Sequence, residues 1–275
     1  MNRTDFIERH PCLDHEAHFR DARLHLPVAP KCNIRCNYCD RKIGGYECRP
    51  GVTSRIISPK RAIQSVEEGL RRCENLTVVG IAGPGEPLAN PETFEVLKHI
   101  HNSFPSLIKC IATNGLLLPM HVKRLITLGV HAVSVTINTV NPVVGTRIYS
   151  YIAYKGRVLE GLQAASQLID NQLRGVEMAA SHNLIVKVNT VLIPEVNTSC
   201  IEELASEIAR RGAYIQNIIP LIPQYKFSSL NAPSPSMLKE ARDIGAAYIR
   251  QFDLCKLCRA DALGVPGKCS MHIGD

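Results

Sequence analysis

The sequence contains no tryptophan, and aromatic residues make up only 5% of its 275 positions. It also lacks any run close to the roughly 18 to 20 apolar residues a membrane-spanning helix needs, so no helical span is expected. The first residues, Met1-Asn-Arg-Thr-Asp-Phe-Ile-Glu-Arg-His10, lack the apolar stretch of a signal peptide. Internal repeats, low-complexity tracts and domain linkers are missing too, which leaves one folded unit over 1–275 as the expectation. The formal charge of +7 is spread along the chain, and no known nucleic-acid motif accompanies it. A solvated basic surface is therefore the simpler reading than a nucleic-acid partner.

What is present is enough apolar material for a core, 45% of the chain, and 11 cysteines. An odd cysteine count without a signal peptide argues for a reducing cytoplasm rather than a disulfide framework. Segments rich in Val and Ile alternate with segments of helical period, which is the pattern of repeated β/α units in an α/β protein. Strands are expected at 25–29, 76–82, 107–112, 130–137, 184–192 and 214–219. A helix is expected over 59–73, another over 155–169 with Val158, Leu162, Ala165 and Ile169 on one face, and a third near 201–208. Right-handed crossovers would make the six strands parallel. The Pro- and Ser-rich loop 221–236 is a candidate lid or a plain connection, and polar segments 1–24 and 252–275 flank the barrel core of 25–251.

The run Cys32-Asn-Ile-Arg-Cys36-Asn-Tyr-Cys39 carries the most chemical information. Three thiolates so close in sequence can hold three irons of a cubane cluster and leave the fourth open to a ligand from outside the protein. A structural zinc site more often pairs two Cys-x-x-Cys hooks. The run resembles the signature of the radical S-adenosylmethionine (SAM) superfamily, which has the same gaps and an aromatic residue, here Tyr38, before the last cysteine. That resemblance implies a partial (βα)6 TIM-type barrel, a [4Fe-4S] cluster on Cys32, Cys36 and Cys39, and SAM as cofactor. Arg35, Arg41, Lys42 and Arg49 crowd the same loop, where they either offset cluster charge or are plain solvated residues.

Ligands of parallel β/α folds gather at the carboxyl ends of strands, and the remaining motifs obey that rule. Gly83-Pro84-Gly85-Glu86-Pro87 follows the second strand, and the superfamily resemblance gives Gly83, Gly85 and Glu86 the methionine amine of SAM. Asn114, Thr136, Asn138 and Asn189 end other strands; they are candidates for the ribose or carboxylate of SAM, or satisfied polar groups. Cys12, in His10-Pro11-Cys12, together with Cys255 and Cys258 can hold a second cluster or, with a histidine, a zinc ion. His25, Cys48 and Cys110 could converge as a third, weaker set, although His25 or Cys110 taken singly is more commonly a buried core residue, and Cys200 and Cys269 have no assigned partner.

Together with Arg49-Pro-Gly-Val52, Thr113-Asn-Gly115, Asn189-Thr-Val-Leu-Ile-Pro194 and Cys255-Lys-Leu-Cys258-Arg-Ala-Asp-Ala262, these motifs resemble the NifB family from about residue 10 to 264. The likeness is to compact members without a domain related to NifX. It implies a radical SAM enzyme of nitrogenase cofactor assembly that fuses two four-iron clusters, K1 and K2, into an eight-iron cluster with a central carbide. One SAM would donate the methyl group and a second would yield a 5′-deoxyadenosyl radical that abstracts hydrogen from it. Carried over, Cys12, Cys255 and Cys258 would hold K2, and His25, Cys48 and Cys110 would hold K1. Implied partners are a low-potential electron donor, ferredoxin or flavodoxin, a cluster donor, and a carrier or scaffold protein for the product. Two rivals are a different radical SAM enzyme with auxiliary clusters, such as one that modifies a peptide, and a non-catalytic iron–sulfur scaffold.

Overall fold

The computed structural model describes residues 3–267. Six parallel strands, β1 (Ala22–His25), β2 (Leu76–Ile81), β3 (Ile108–Thr113), β4 (Val130–Thr136), β5 (Ile185–Leu192) and β6 (Ile215–Pro220), lie side by side in chain order. Their sheet is the partial TIM-type barrel expected from the alternation of strand and helix. The helices α1 (Pro59–Arg72), α2 (Pro91–Ser103), α3 (Leu118–Thr127), α4 (Gly161–Ser181), α5 (Ile201–Arg210) and α6 (Pro235–Ala246) follow strands β1 to β6 in turn. In α1, the Ser58 side chain accepts the Arg61 N–H, Pro59 starts the helix, and Ala62, Ser65, Val66 and Gly69 form its buried stripe.

Strand residues two apart share a face, and the two faces of this sheet have different tasks. Val79, Ile81, Ile111, Val133, Val135, Val186 and Val188 belong to the main core. Fully burying each such side chain contributes roughly 1.5 to 3 kcal/mol. Cys110 and Ala112, Ser134 and Thr136, Lys187, Asn189 and Val191, and Asn217 and Ile219 instead line a cavity.

Three differences from the sequence reading bear on that cavity. β1 begins at Ala22 and ends at His25, so it starts inside the segment 1–24; residues 26–29 continue as buried connection, where Pro27 and Pro30 supply no N–H for a ladder. The expected helix 155–169 starts only at Gly161. Before it, strands Tyr149–Tyr154 and Arg157–Glu160 form a hairpin through Lys155-Gly156, both with positive φ of 49° and 74°, the turn whose twist suits a two-residue loop. Val158 is therefore 66% exposed rather than on a helix face. Finally, the tail is no mere polar extension. Its residues Leu263–Gly264 form β7, which pairs antiparallel with the outer edge of β1. At the opposite edge, residues 250–252 cover β6 through bonds between Gln216 and the backbone of Arg250 and Phe252. Cys269 lies outside the described residues.

Candidate active site

The cysteine run leaves β1 and enters a small sheet, where Ile34–Cys36 pairs with Tyr149–Tyr154 of the unexpected hairpin. Cys32, Cys36 and Cys39 all line the cavity, which encloses about 330 Å³, a size suited to a small organic ligand. Burial pushes the Cys32 thiol up to about 11 and raises Cys36 and Cys39 as well, with Arg41 and Arg35 pulling Cys39 the other way. Such thiols ionise readily only when a metal takes the proton's place. The Tyr38 hydroxyl receives a hydrogen bond from Asn138 Nδ2 at 3.0 Å, and its carbonyl one from Gln224 Nε2 at 2.9 Å. Gln224 belongs to the candidate lid, which Phe227 also binds to the Asn37 carbonyl, so this segment braces the cysteine loop.

The Gly83 to Asn90 motif folds onto the chain between β1 and the cysteines. Gly85 and Glu86 donate their N–H groups to the carbonyls of Ala29 and Lys31 at 2.7 and 2.8 Å, and a Cβ on Gly85 would overlap the Lys31 carbonyl. Asn90 Nδ2 closes the motif by donating to the Lys31 and Glu86 carbonyls. Glu86 is 2% exposed and accepts from Leu88 N, Thr113 Oγ1 and Asn114 N at 3.0, 2.6 and 2.7 Å. Burial outweighs these bonds and pushes its carboxyl up to about 7. An ammonium group beside it would supply the missing positive charge.

Asn114, Thr136 and Asn189 line the cavity as expected. Asn114 Nδ2 donates to Asn33 Oδ1 at 2.7 Å, and Asn189 Oδ1 accepts from Asn217 Nδ2 at 2.9 Å. Gly83 and Asn138 do not line it. Gly83 has φ of 127° and shapes the turn into Pro84. Asn138 is fully buried, and its side chain is used up by Tyr38, Tyr149 and the Val191 N–H. It is a bracket behind the site, so the rival reading, a satisfied polar group, describes it.

The other end of the same cavity is lined by Cys12, His25, Cys110, Cys255 and Cys258. His25, Gly80 and Cys110 sit in one row across β1, β2 and β3, and a Cβ at Gly80 would come within 2.8 Å of Cys110 Sγ and 3.3 Å of His25 Cδ2. Only the absence of a side chain at Gly80 lets the two candidate ligands approach each other across β2. Cys48 departs from the set: it is exposed and outside the cavity lining. Its loop is pinned through the Gly45 and Glu47 carbonyls, which accept from Arg259 Nη1, and the Asp40 carbonyl, which accepts from Arg49 Nη1. Cys73 and Cys200 are buried core residues. His10, named in the sequence only beside Cys12, is at the cavity too, as are Lys187 and Asn217, which the sequence did not single out; a charged residue amid the apolar run of β5 was the available signal for Lys187.

The donor chemistry fits a [4Fe-4S] cluster and SAM. Among the described residues, no three His, Cys, Asp or Glu side chains converge on a single metal ion. A cubane asks for one thiolate on each of three irons instead. Asn217 Oδ1, buried at the cavity without a partner, fits a ligand hydroxyl.

Comparison with known proteins agrees with this geometry. Residues 26–208 match the Radical SAM superfamily. The FeMo cofactor biosynthesis protein NifB of Methanocaldococcus jannaschii is 45% identical over 258 residues, covering 93% of this chain and 86% of that one. Its namesake from Klebsiella pneumoniae is 41% identical over 273 residues, covering 96% of this chain but 58% of that longer one. Among solved structures, SuiB of Streptococcus suis bound to S-adenosylmethionine superposes with a TM-score of 0.63 at 11% identity, over 86% of this chain and 51% of that one. A radical SAM methyltransferase from Sphaerobacter thermophilus gives 0.54 at 21% identity, over 85% and 64%. At such identities the two structures speak for the fold alone. No helix among the described residues is long and apolar enough to cross a membrane. With its superfamily match, its cysteine loop and relatives alike over nearly its whole length, the chain is a radical SAM enzyme and belongs to the NifB family.

Proposed function

We propose that this enzyme acts in FeMo cofactor biosynthesis by joining two four-iron clusters, its substrates, and inserting between them a carbon taken from the methyl group of SAM. The supporting observation is one cavity lined at one end by Cys32, Cys36 and Cys39 and at the other by Cys12, His25, Cys110, Cys255 and Cys258. An organic substrate alone would need only the first set. Cys12 and Cys110 line the same cavity, and burial first and Cys12 next hold the Cys110 thiol well above its ordinary range. When bound, the cluster and SAM supply an electron and, on reductive cleavage, a radical that takes hydrogen from a methyl group.

The chain's own residues orient and enclose this chemistry. Glu86 offers its Oε2, which already accepts from Asn114 N, to the SAM ammonium; Asn189 and Asn217 face the space for its polar groups. Val191 and Ile219 wall the cavity and keep water from a reactive radical. Precursors that must merge and leave are served by incomplete ligand sets, and a neutral imidazole is displaced more easily than a thiolate. In this reading Cys12, Cys255 and Cys258 hold one substrate and His25 and Cys110 the other, with Cys48 joining only if its loop turns inward. A ferredoxin or flavodoxin delivers the electron, a cluster donor supplies the substrates, and a carrier or scaffold protein takes the product. The test is SAM carrying carbon-13 in its methyl group, incubated with cluster-loaded enzyme and reductant. Label retained in the isolated iron–sulfur product supports carbon insertion; label confined to small molecules, with SAM cleaved, excludes it.

A further inference from the structure

Lys187 lines the cavity end bounded by Cys12, Cys255 and Cys258, Arg23 stands behind Cys258, and among the described residues no carboxylate neutralises either cation. Arg23 and Lys187 are each 4% exposed. Arg23 donates Nη2 to Cys258 Sγ at 3.1 Å and Nη1 to the Gly264 carbonyl, while its Nε is buried without a partner. Lys187 donates Nζ to the Cys12 carbonyl at 2.8 Å and lies 4.1 Å from the ring centre of Phe252. Burying a charge is costly unless something compensates it, so two such cations call for an anion.

His10 adds a third group. Its Nδ1 accepts the Cys12 N–H at 3.1 Å, which places the proton of the neutral ring on Nε2. That Nε2 is fully buried without a partner, and the ring lines the cavity. A buried donor left unmade is destabilising, and it finds its acceptor only in a ligand.

We propose that Arg23, Lys187 and His10 form a donor cradle for an anionic iron–sulfur cluster carried by Cys12, Cys255 and Cys258. A cluster whose thiolates outnumber its core charge is negative, and its sulfides and thiolate sulfurs accept hydrogen bonds. The cradle therefore retains the cluster and favours its reduced, more negative form, as hydrogen bonds and nearby charge do for such centres. The three are positioning residues, since the thiolates make the bonds to iron. This inference rests on the reading that a cluster binds at these cysteines.

The test uses the full chain, anaerobically reconstituted, with two readouts of the cluster that disappears in Cys258→Ala. One is the rate of iron loss to a chelator; the other is the midpoint potential in a dithionite titration followed by electron paramagnetic resonance. Lys187→Met and Arg23→Gln are expected to release that iron about tenfold faster, the scale of one hydrogen bond to a charged group, and to lower the potential. Lys187→Arg should restore both. His10→Asn keeps an acceptor for the Cys12 N–H but removes the Nε2 donor, so it too should lower the potential. The iron on Cys32, Cys36 and Cys39 serves as internal control for folding. Unchanged release and potential in Lys187→Met and His10→Asn, with the cluster present, would overturn the cradle. A wild-type chain with no cluster at these cysteines overturns the underlying reading instead.

Discussion

His25 Nδ1 lies 2.9 Å from the carbonyl oxygen of Arg259, a contact that ties the first strand to the tail carrying Cys255 and Cys258. The imidazole N–H donates to that carbonyl, so the Nε2 lone pair is free at the cavity. Arg259 is held in turn. Its guanidinium is 2% exposed, pairs with Asp261 at 2.7 and 2.8 Å, and donates to the Gly45 carbonyl at 3.0 Å. The Arg-Ala-Asp-Ala motif is thus a latch between β1, the Cys48 loop and the tail.

Asp261→Asn removes a carboxylate that pairs with the buried guanidinium of Arg259. The expected loss is about 3 to 5 kcal/mol, the usual cost of breaking a buried pair from one side. Urea unfolding of the metal-free chain measures it, and a loss within error of zero would deny the latch.

Gly80→Ala displaces Cys110 and crowds His25, since the new methyl would meet Cys110 Sγ at 2.8 Å. The cluster bound there should be lost or weakened, while iron on Cys32, Cys36 and Cys39 stays. Iron analysis before and after the substitution decides; full retention of every cluster would show that the placing of His25 and Cys110 is not needed to hold one.

Glu86 couples stability to pH. Its carboxyl is pushed by burial from 4.5 to about 7 in the folded chain. The stabilisation this brings is complete below about 4.5 and is lost as pH rises through about 7, a span of about 3 kcal/mol at the most. Melts of the metal-free chain at pH 5 and pH 8 should differ more for the wild type than for Glu86→Gln. Bound SAM should narrow the difference, because its ammonium compensates the carboxylate. Identical pH dependence in both chains would contradict this.

Asn138→Leu strips Tyr38 and Tyr149 of their shared donor, Asn138 Nδ2, which lies 3.0 and 3.1 Å from the two hydroxyls. Leaving a buried polar group unpaired costs about 1 to 3 kcal/mol, so a lower melting temperature is expected. Because Tyr38 lies inside the cysteine run, SAM affinity should fall as well. A variant with wild-type stability and affinity would remove the bracket role.

Much of the barrel was legible because strands packed on both faces read as apolar runs: all of Leu76–Ile81 is buried. The cysteine loop was legible from spacing alone. The hairpin around Lys155-Gly156 was not, since Val158 and Leu162 imitate a helical stripe and a single two-residue turn overrides it. β7 escaped notice because two residues carry no periodicity and its partner strand is far away in sequence. Asn138 shows the limit for polar residues at strand ends. Ligand contact and internal bonding leave the same mark in a sequence, and only the positions of its partners tell them apart.

The account turns on one cavity holding a SAM cluster and two cluster substrates, so iron per chain after anaerobic reconstitution tests it most directly. About twelve irons are expected in the wild type and about eight when Cys12, Cys255 and Cys258 are replaced together, since each cubane carries four. About four irons, untouched by those replacements, would leave a radical SAM enzyme with a single cluster and contradict cluster fusion.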